Sequence, residues 1–367
     1  MKGTVVLATL ILALLAGLAL FVRPRGDAPT VIVPETRAAS TAAERPAKQA
    51  RPALALPLEI QAEPTTNAPT VTNLFARFRD GDIPRVSREQ LEPFLAQNHR
   101  SVESLLGALR ASGDDTLLKE AKEKFPNDPR VQFAAAFKSD SPEERQQWLE
   151  KFKGSAPDNA LASYLLAGDH FKAGRAEQAL QEVAAATAKP AFQNYLLDFV
   201  QNSEEAYHAA GYSEAEAKTV GLTTALLPEL APLKQLSLDL VDLAKRYQQA
   251  GDPASAREVQ NMALSLGQRL DQTAQPTLIQ ELVGTAIERI VLNSMEPAAP
   301  YGNTGLTVKD QMDAIAAGRK EKRALVEKAE SVLMTMSDQD LAHFYDRLKV
   351  YGEVAAMRWV VNRAPSP

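Results

Sequence analysis

The feature that most constrains this chain is a spacing of small residues that occurs twice. Ala167, Gly174, Ala179 and Ala186 return 77 positions later as Ala244, Gly251, Ala256 and Ala263. In each copy apolar residues at helical intervals lead up to the glycine and resume after it, as in ALASYLLAGDHFKAGRAEQALQEVA and SLDLVDLAKRYQQAGDPASAREVQNMA. Two helices approach closely only where side chains are small, which assigns Ala167 to a crossing with Ala179, and Ala244 to one with Ala256. Glycine tolerates the left-handed backbone that ends a helix, so Gly174 and Gly251 mark the turns. Pro253 follows Gly251 closely enough to fall in the first turn of the next helix, where a missing N–H matters least.

This small–Gly–Ala–Ala spacing resembles the tetratricopeptide repeat, a helix–turn–helix unit that stacks into a solenoid. Tyr247 stands at an aromatic position usual in that family, whereas Ser163 replaces its tryptophan and His170 its aromatic ring. The repeats are therefore degenerate. Prolines recur at a matching interval, Pro126 to Pro157 and Pro157 to Pro190. The resemblance implies an all-α fold, a right-handed α-solenoid of helix pairs, and a function in binding other proteins. It also implies a groove lined by the first helix of each pair. Its positions fall on Leu161, Tyr164, Phe171 and Lys172 in one copy, and on Leu238, Val241, Lys245, Gln248 and Gln249 in the other. Tyr164, Phe171, Lys172, Lys245, Gln248 and Gln249 are the partner-binding residues this predicts, the two lysines orienting an acidic group on a bound protein or peptide. Burial of Leu161, Leu238 and Val241 against neighbouring helices is the competing reading. Tyr164 and Gly168 occupy places where related repeats carry Lys and Asn to clamp a chaperone's C-terminal carboxylate, which disfavours that function.

Aromatic residues make up only 6% of the 367-residue chain, and Ala and Leu are abundant, which suits helical packing better than a β-sandwich. The absence of cysteine excludes disulfides, thiolate zinc sites and a thiol nucleophile. The net charge of −5 is divided unevenly, with a basic stretch near the N-terminus and an acidic remainder. An acidic helical body does not suit nucleic acid, whose phosphates call for clustered Lys and Arg.

Thr4 to Val22 carries no charge and is long enough to span a bilayer as a helix, with Lys2 before it and Arg23 and Arg25 after. Residues 1–22 are expected to be a membrane anchor that holds the helical body outside the cytoplasm. A signal peptide cleaved near Gly17-Leu18-Ala19, with secretion, is the alternative. Residues 23–73 contain eight prolines and read as an extended Pro/Ala-rich linker. Residues 74–367 form the helical domain. Its start and stop signals include a capping box at Ser87–Gln90, Gly113 after a second helix, Pro126 after a third, and Ser141-Pro142 before another. Phe192 to Leu230 is expected to hold two helices broken at Gly211 or Ser213. Leu278–Leu292 and Lys309–Thr335 are helical, and a last pair meets at Gly352.

Catalytic motifs are not evident. Glu205 with His208, and Asp340 with His343, have the spacing of di-iron ligands but lack convincing further carboxylates. No phosphate loop or nucleophile elbow occurs in the sequence. The expectation is a non-catalytic, membrane-anchored scaffold or adaptor without cofactor or metal. The alternatives are an enzyme with a site near the Pro/Gly-rich loop 296–307, or a purely structural envelope protein.

Overall fold

Local stop and start signals set most of the helix boundaries. The computed structural model describes residues 84–363, apart from 272, 274, 275 and 303. The hydrophobic segment 4–22, the linker 23–73 and the expected helical start at Leu74 lie outside the described residues. Fifteen helices occur among the described residues. They are α1 (Arg88–Gln97), α2 (Val102–Ser112), α3 (Asp115–Lys124), α4 (Pro129–Phe137) and α5 (Pro142–Ser155). Next come α6 (Leu161–Lys172), α7 (Ala176–Ala188), α8 (Leu196–Ala209), α9 (Glu214–Thr223) and α10 (Leu230–Gln249). The last five are α11 (Pro253–Asp271), α12 (Leu278–Leu292), α13 (Val308–Leu333), α14 (Asp338–Tyr351) and α15 (Glu353–Arg363). Strand-like pairing among them is limited to isolated bridges, Asn159 with Ala191 and Pro300 with Thr307. The protein is all-α, as composition and periodicity predict.

The capping box at Ser87 and Gln90 is formed, and others open α9 at Ser213, α12 at Thr277 and α13 at Thr307. Each satisfies backbone donors that a helix start leaves unpaired. Gly174 and Gly251 have φ of 72° and 81°, the left-handed turn expected of them. Ala167, Ala179, Ala244 and Ala256 are all buried.

The second hairpin differs from the first in length. Its helices were expected over 237–263, but α10 starts at Leu230 and α11 continues to Asp271. Leu230, Leu233 and Leu236 extend the buried face of α10 backwards at helical spacing, and Leu266 and Leu270 extend that of α11 forwards. Burial of these leucines stabilises the added turns at each end.

Chain order describes the packing only in part. Hairpin α6/α7 lies beside hairpin α10/α11, with α10 on α6 and α11 on α7. The intervening pair α8/α9 is displaced from between them: α8 packs on α1 and α2, and α9 packs on α14. Glycines permit the closest of these approaches. A Cβ added at Gly107 on α2 would lie 2.3 Å from the Asn202 carbonyl oxygen on α8. Gly267 and Gly284 face each other across α11 and α12, where an added Cβ would come within 3.0 Å of the opposite backbone oxygen. Ion pairs tie the displaced pair to the C-terminal helices. Lys349 reaches the buried Glu204 at 2.7 Å, and Lys218 joins Glu214 to Asp346.

No helix of the described residues is long and apolar enough to cross a membrane. The 26-residue α13 buries only Val308, Val326 and Ala329 and is otherwise largely exposed.

Candidate functional site

Five of the six predicted partner-binding residues cluster near the C-terminal ends of two packed helices. Phe171 and Lys172 end α6, and Lys245, Gln248 and Gln249 occupy the last turns of α10. Measured from Gly174 and Gly251, Lys172 and Gln249 are equivalent positions, as are Phe171 and Gln248. Lys172, Lys245, Gln248 and Gln249 are exposed and Phe171 is half-buried. Both lysines reach back only to carboxylates on their own helix, Lys172 to Asp169 and Lys245 to Asp242. Such exposed pairs contribute little to stability and leave the ammonium groups open to a partner.

Tyr164 is placed differently. It is completely buried, as is Leu161; Val241 is also buried, while Leu238 is exposed. From Leu161 to Gly168 every residue of α6 is buried, because α5, α7 and α10 enclose that part of the helix. Tyr164 is thus a packing residue, its ring 6.5 Å from that of Phe192.

A cavity of about 500 Å³ opens between α7, the extended segment 190–193 and α11. Thr187, Phe192, Gln193, Ser265, Gln268 and Arg269 contribute to its wall. Segment 190–193 is held extended by Asn159, whose side chain donates to the Gln193 carbonyl and accepts from the Gln193 N–H. Arg269 donates through Nη2 to the Thr187 carbonyl at 2.8 Å and has no ion-pair partner among the described residues. Sequence reasoning missed this group because it ended the second helix at Ala263. Arg269 lies on the extension of α11, one turn beyond Ser265, so a correct helix length was the missing signal.

A second polar cluster adjoins the loop 296–307. Gln268 donates from its amide to the hydroxyl of the buried Tyr301, and Gln311 donates to Glu288. Burial, reinforced by the neighbouring Glu288 carboxylate, pushes the Asp271 carboxyl up to about 7. Burial likewise raises Glu288 and Tyr301. Across the domain, burial raises Glu229 to about 7, against the pull of Arg110. Among the described residues no group of three or more His, Asp or Glu side chains could hold a metal ion. The pairs Glu205/His208 and Asp340/His343 belong to no such group.

The Asp271 shift has a defined consequence. Between its ordinary value of 3.8 and about 7, the folded state holds a proton that the unfolded state has lost. Stability contributed by the protonated form is therefore complete below pH 4 and lost as pH rises through about 7. Asp271→Asn fixes the neutral form. The variant should gain on wild type by roughly 2 kcal/mol between pH 4 and pH 8, allowing for the partial exposure of the carboxylate. Paired thermal melts across that range check this, and a difference independent of pH would count against it. Glu120, held down to about 2 by Arg100 and Lys124, acts in the opposite direction at low pH, equally in both proteins.

Comparison with known protein families, with curated proteins and with solved structures yields no match for this chain.

Proposed function

We propose that this chain is a non-catalytic scaffold or adaptor that binds another protein, with α6/α7 and α10/α11 as degenerate tetratricopeptide-like repeats in a short solenoid. In this reading residues 1–22 anchor it in a membrane, 23–73 form the spacer, and the helical body lies outside the cytoplasm. The observation that supports the reading is the side-by-side packing of α6 and α10, which presents Lys172, Lys245, Gln248 and Gln249 to solvent from neighbouring rigid elements. Cations and amides with the half-buried Phe171 beside them suit an acidic protein surface or peptide, which the lysines would orient while apolar contact supplies affinity.

The test is the double variant Lys172→Glu, Lys245→Glu in the full-length chain, followed by crosslinking and affinity capture. Both positions are exposed, so the melting temperature should stay within a few degrees of wild type. Loss of specifically captured proteins at least tenfold, with the melt preserved, is the expected result. Unchanged capture would remove this surface from the reading.

The enzyme alternative near loop 296–307 draws on one observation, the raised Asp271 and Glu288 beside Tyr301. A reaction that depends on that cluster would be lost in Asp271→Asn while the fold is kept.

A further inference from the structure

The geometry points to the cavity between α7, segment 190–193 and α11 as a binding site for a carboxylate flanked by hydrogen-bond donors, with Arg269 supplying the charge. This inference does not rest on the scaffold reading, because the cavity and the exposed ends of α6 and α10 are built from different residues.

Arg269 presents a positively charged fork of N–H donors. Its bond to the Thr187 carbonyl holds the guanidinium in place but leaves the charge unneutralised. Elsewhere in the domain several partly buried arginines are matched by carboxylates, Arg100 by Glu120, Arg130 by Asp128 and Arg145 by Asp169. At Arg269 the facing space is a cavity of about 500 Å³, within the usual range for ligand sites of about 300–1,000 Å³. A guanidinium on such a wall favours a planar anion that can accept two parallel N–H bonds, which describes a carboxylate.

The other walls select what accompanies that carboxylate. Thr187 and Ser265 each donate their hydroxyl hydrogen to a carbonyl of their own helix, Val183 and Asn261 respectively. Gln268 spends an amide N–H on Tyr301. Thr187 and Ser265 therefore offer the cavity acceptor oxygen, and Gln268 offers its carbonyl oxygen beside one remaining N–H. A ligand with a carboxylate at one end and N–H or O–H donors beside it matches both halves of the lining; a simple inorganic anion leaves the acceptor oxygens of Thr187, Ser265 and Gln268 unmatched. The half-buried Phe192 supplies an apolar face for a short side chain. Behind the wall, the buried Tyr164 hydroxyl lies close to Thr187 and Arg269 and makes no hydrogen bond.

A peptide C-terminus and a free small acid share this chemistry, and titration separates them. The probes are N-acetyl-trialanine with a free carboxylate, the same peptide as its C-terminal amide, and N-acetylglycine. Binding to the full-length chain in detergent is followed by calorimetry. The free-acid peptide should bind at least tenfold more tightly than its amide. Equal affinity of N-acetylglycine would assign the site to small acids, and tighter binding of the tripeptide would assign it to peptide ends. Arg269→Gln should reduce carboxylate binding at least tenfold. Because that change also removes the bond to Thr187, Ser265→Glu is the second variant; it adds a negative charge at the cavity wall and leaves Arg269 in place. It should abolish binding with an unchanged melt, whereas Lys172→Glu, Lys245→Glu should bind as wild type does. No binding of either carboxylate up to millimolar concentration, or wild-type affinity in Ser265→Glu, would overturn the assignment.

Discussion

Gly107→Ala should lower the melting temperature by roughly 6–12 °C, the shift expected when a domain of this size loses about 3 kcal/mol. The added methyl carbon would meet the Asn202 carbonyl oxygen at 2.3 Å and its carbon at 2.7 Å. Both atoms belong to the backbone of α8, so relief requires the two helices to separate rather than a side chain to rotate. Separation would loosen a contact on which the displaced pair α8/α9 depends, since α8 packs on α2. Gly318→Ala is the control. Gly318 lies inside α13 with no atom within 4 Å of an added Cβ, so alanine there should leave stability unchanged or raise it by about 1 kcal/mol through helix propensity. Circular dichroism melts of both variants decide the matter. A Gly107→Ala protein as stable as wild type would mean that α2 and α8 do not cross as closely as described.

Tyr164 carries the other large expectation. Truncation to alanine removes a fully buried ring from a helix enclosed by three neighbours, and should cost about 3–5 kcal/mol. Tyr164→Phe removes only the hydroxyl, which is buried and has no hydrogen-bond partner. A buried, unpaired hydroxyl is destabilising by about 1–3 kcal/mol, so its deletion should be neutral or should raise the melting temperature. The two variants separate packing from polar contact at one position. Denaturant titration of both would test the pair. A Tyr164→Ala protein losing under 1 kcal/mol would return this residue to the surface, and with it the groove lined by α6.

The sequence by itself determined the helices and most of their ends. Ser87, Ser213, Gly113, Gly174 and Gly251 act through capping and left-handed turns within a few residues of themselves, so their meaning is readable in place. The uncharged run from Leu161 to Gly168 also held a signal, since a helix without a polar face is an enclosed one. The family's groove positions pointed Tyr164 outward instead, and only the packing of α5, α7 and α10 around α6 shows it in the core. What tertiary structure alone decided is non-local. Nothing in the order α6, α7, α8, α9, α10, α11 states that α8/α9 is displaced towards α2 and α14 so that α10 rests on α6. That arrangement depends on Gly107 meeting Asn202 and on Lys349 meeting Glu204, residues 95 and 145 positions apart. The cavity at Arg269 has the same origin. Its walls come from α7, an extended segment and the extension of α11, and only packing brings a lone guanidinium, acceptor oxygens and an empty volume to one place.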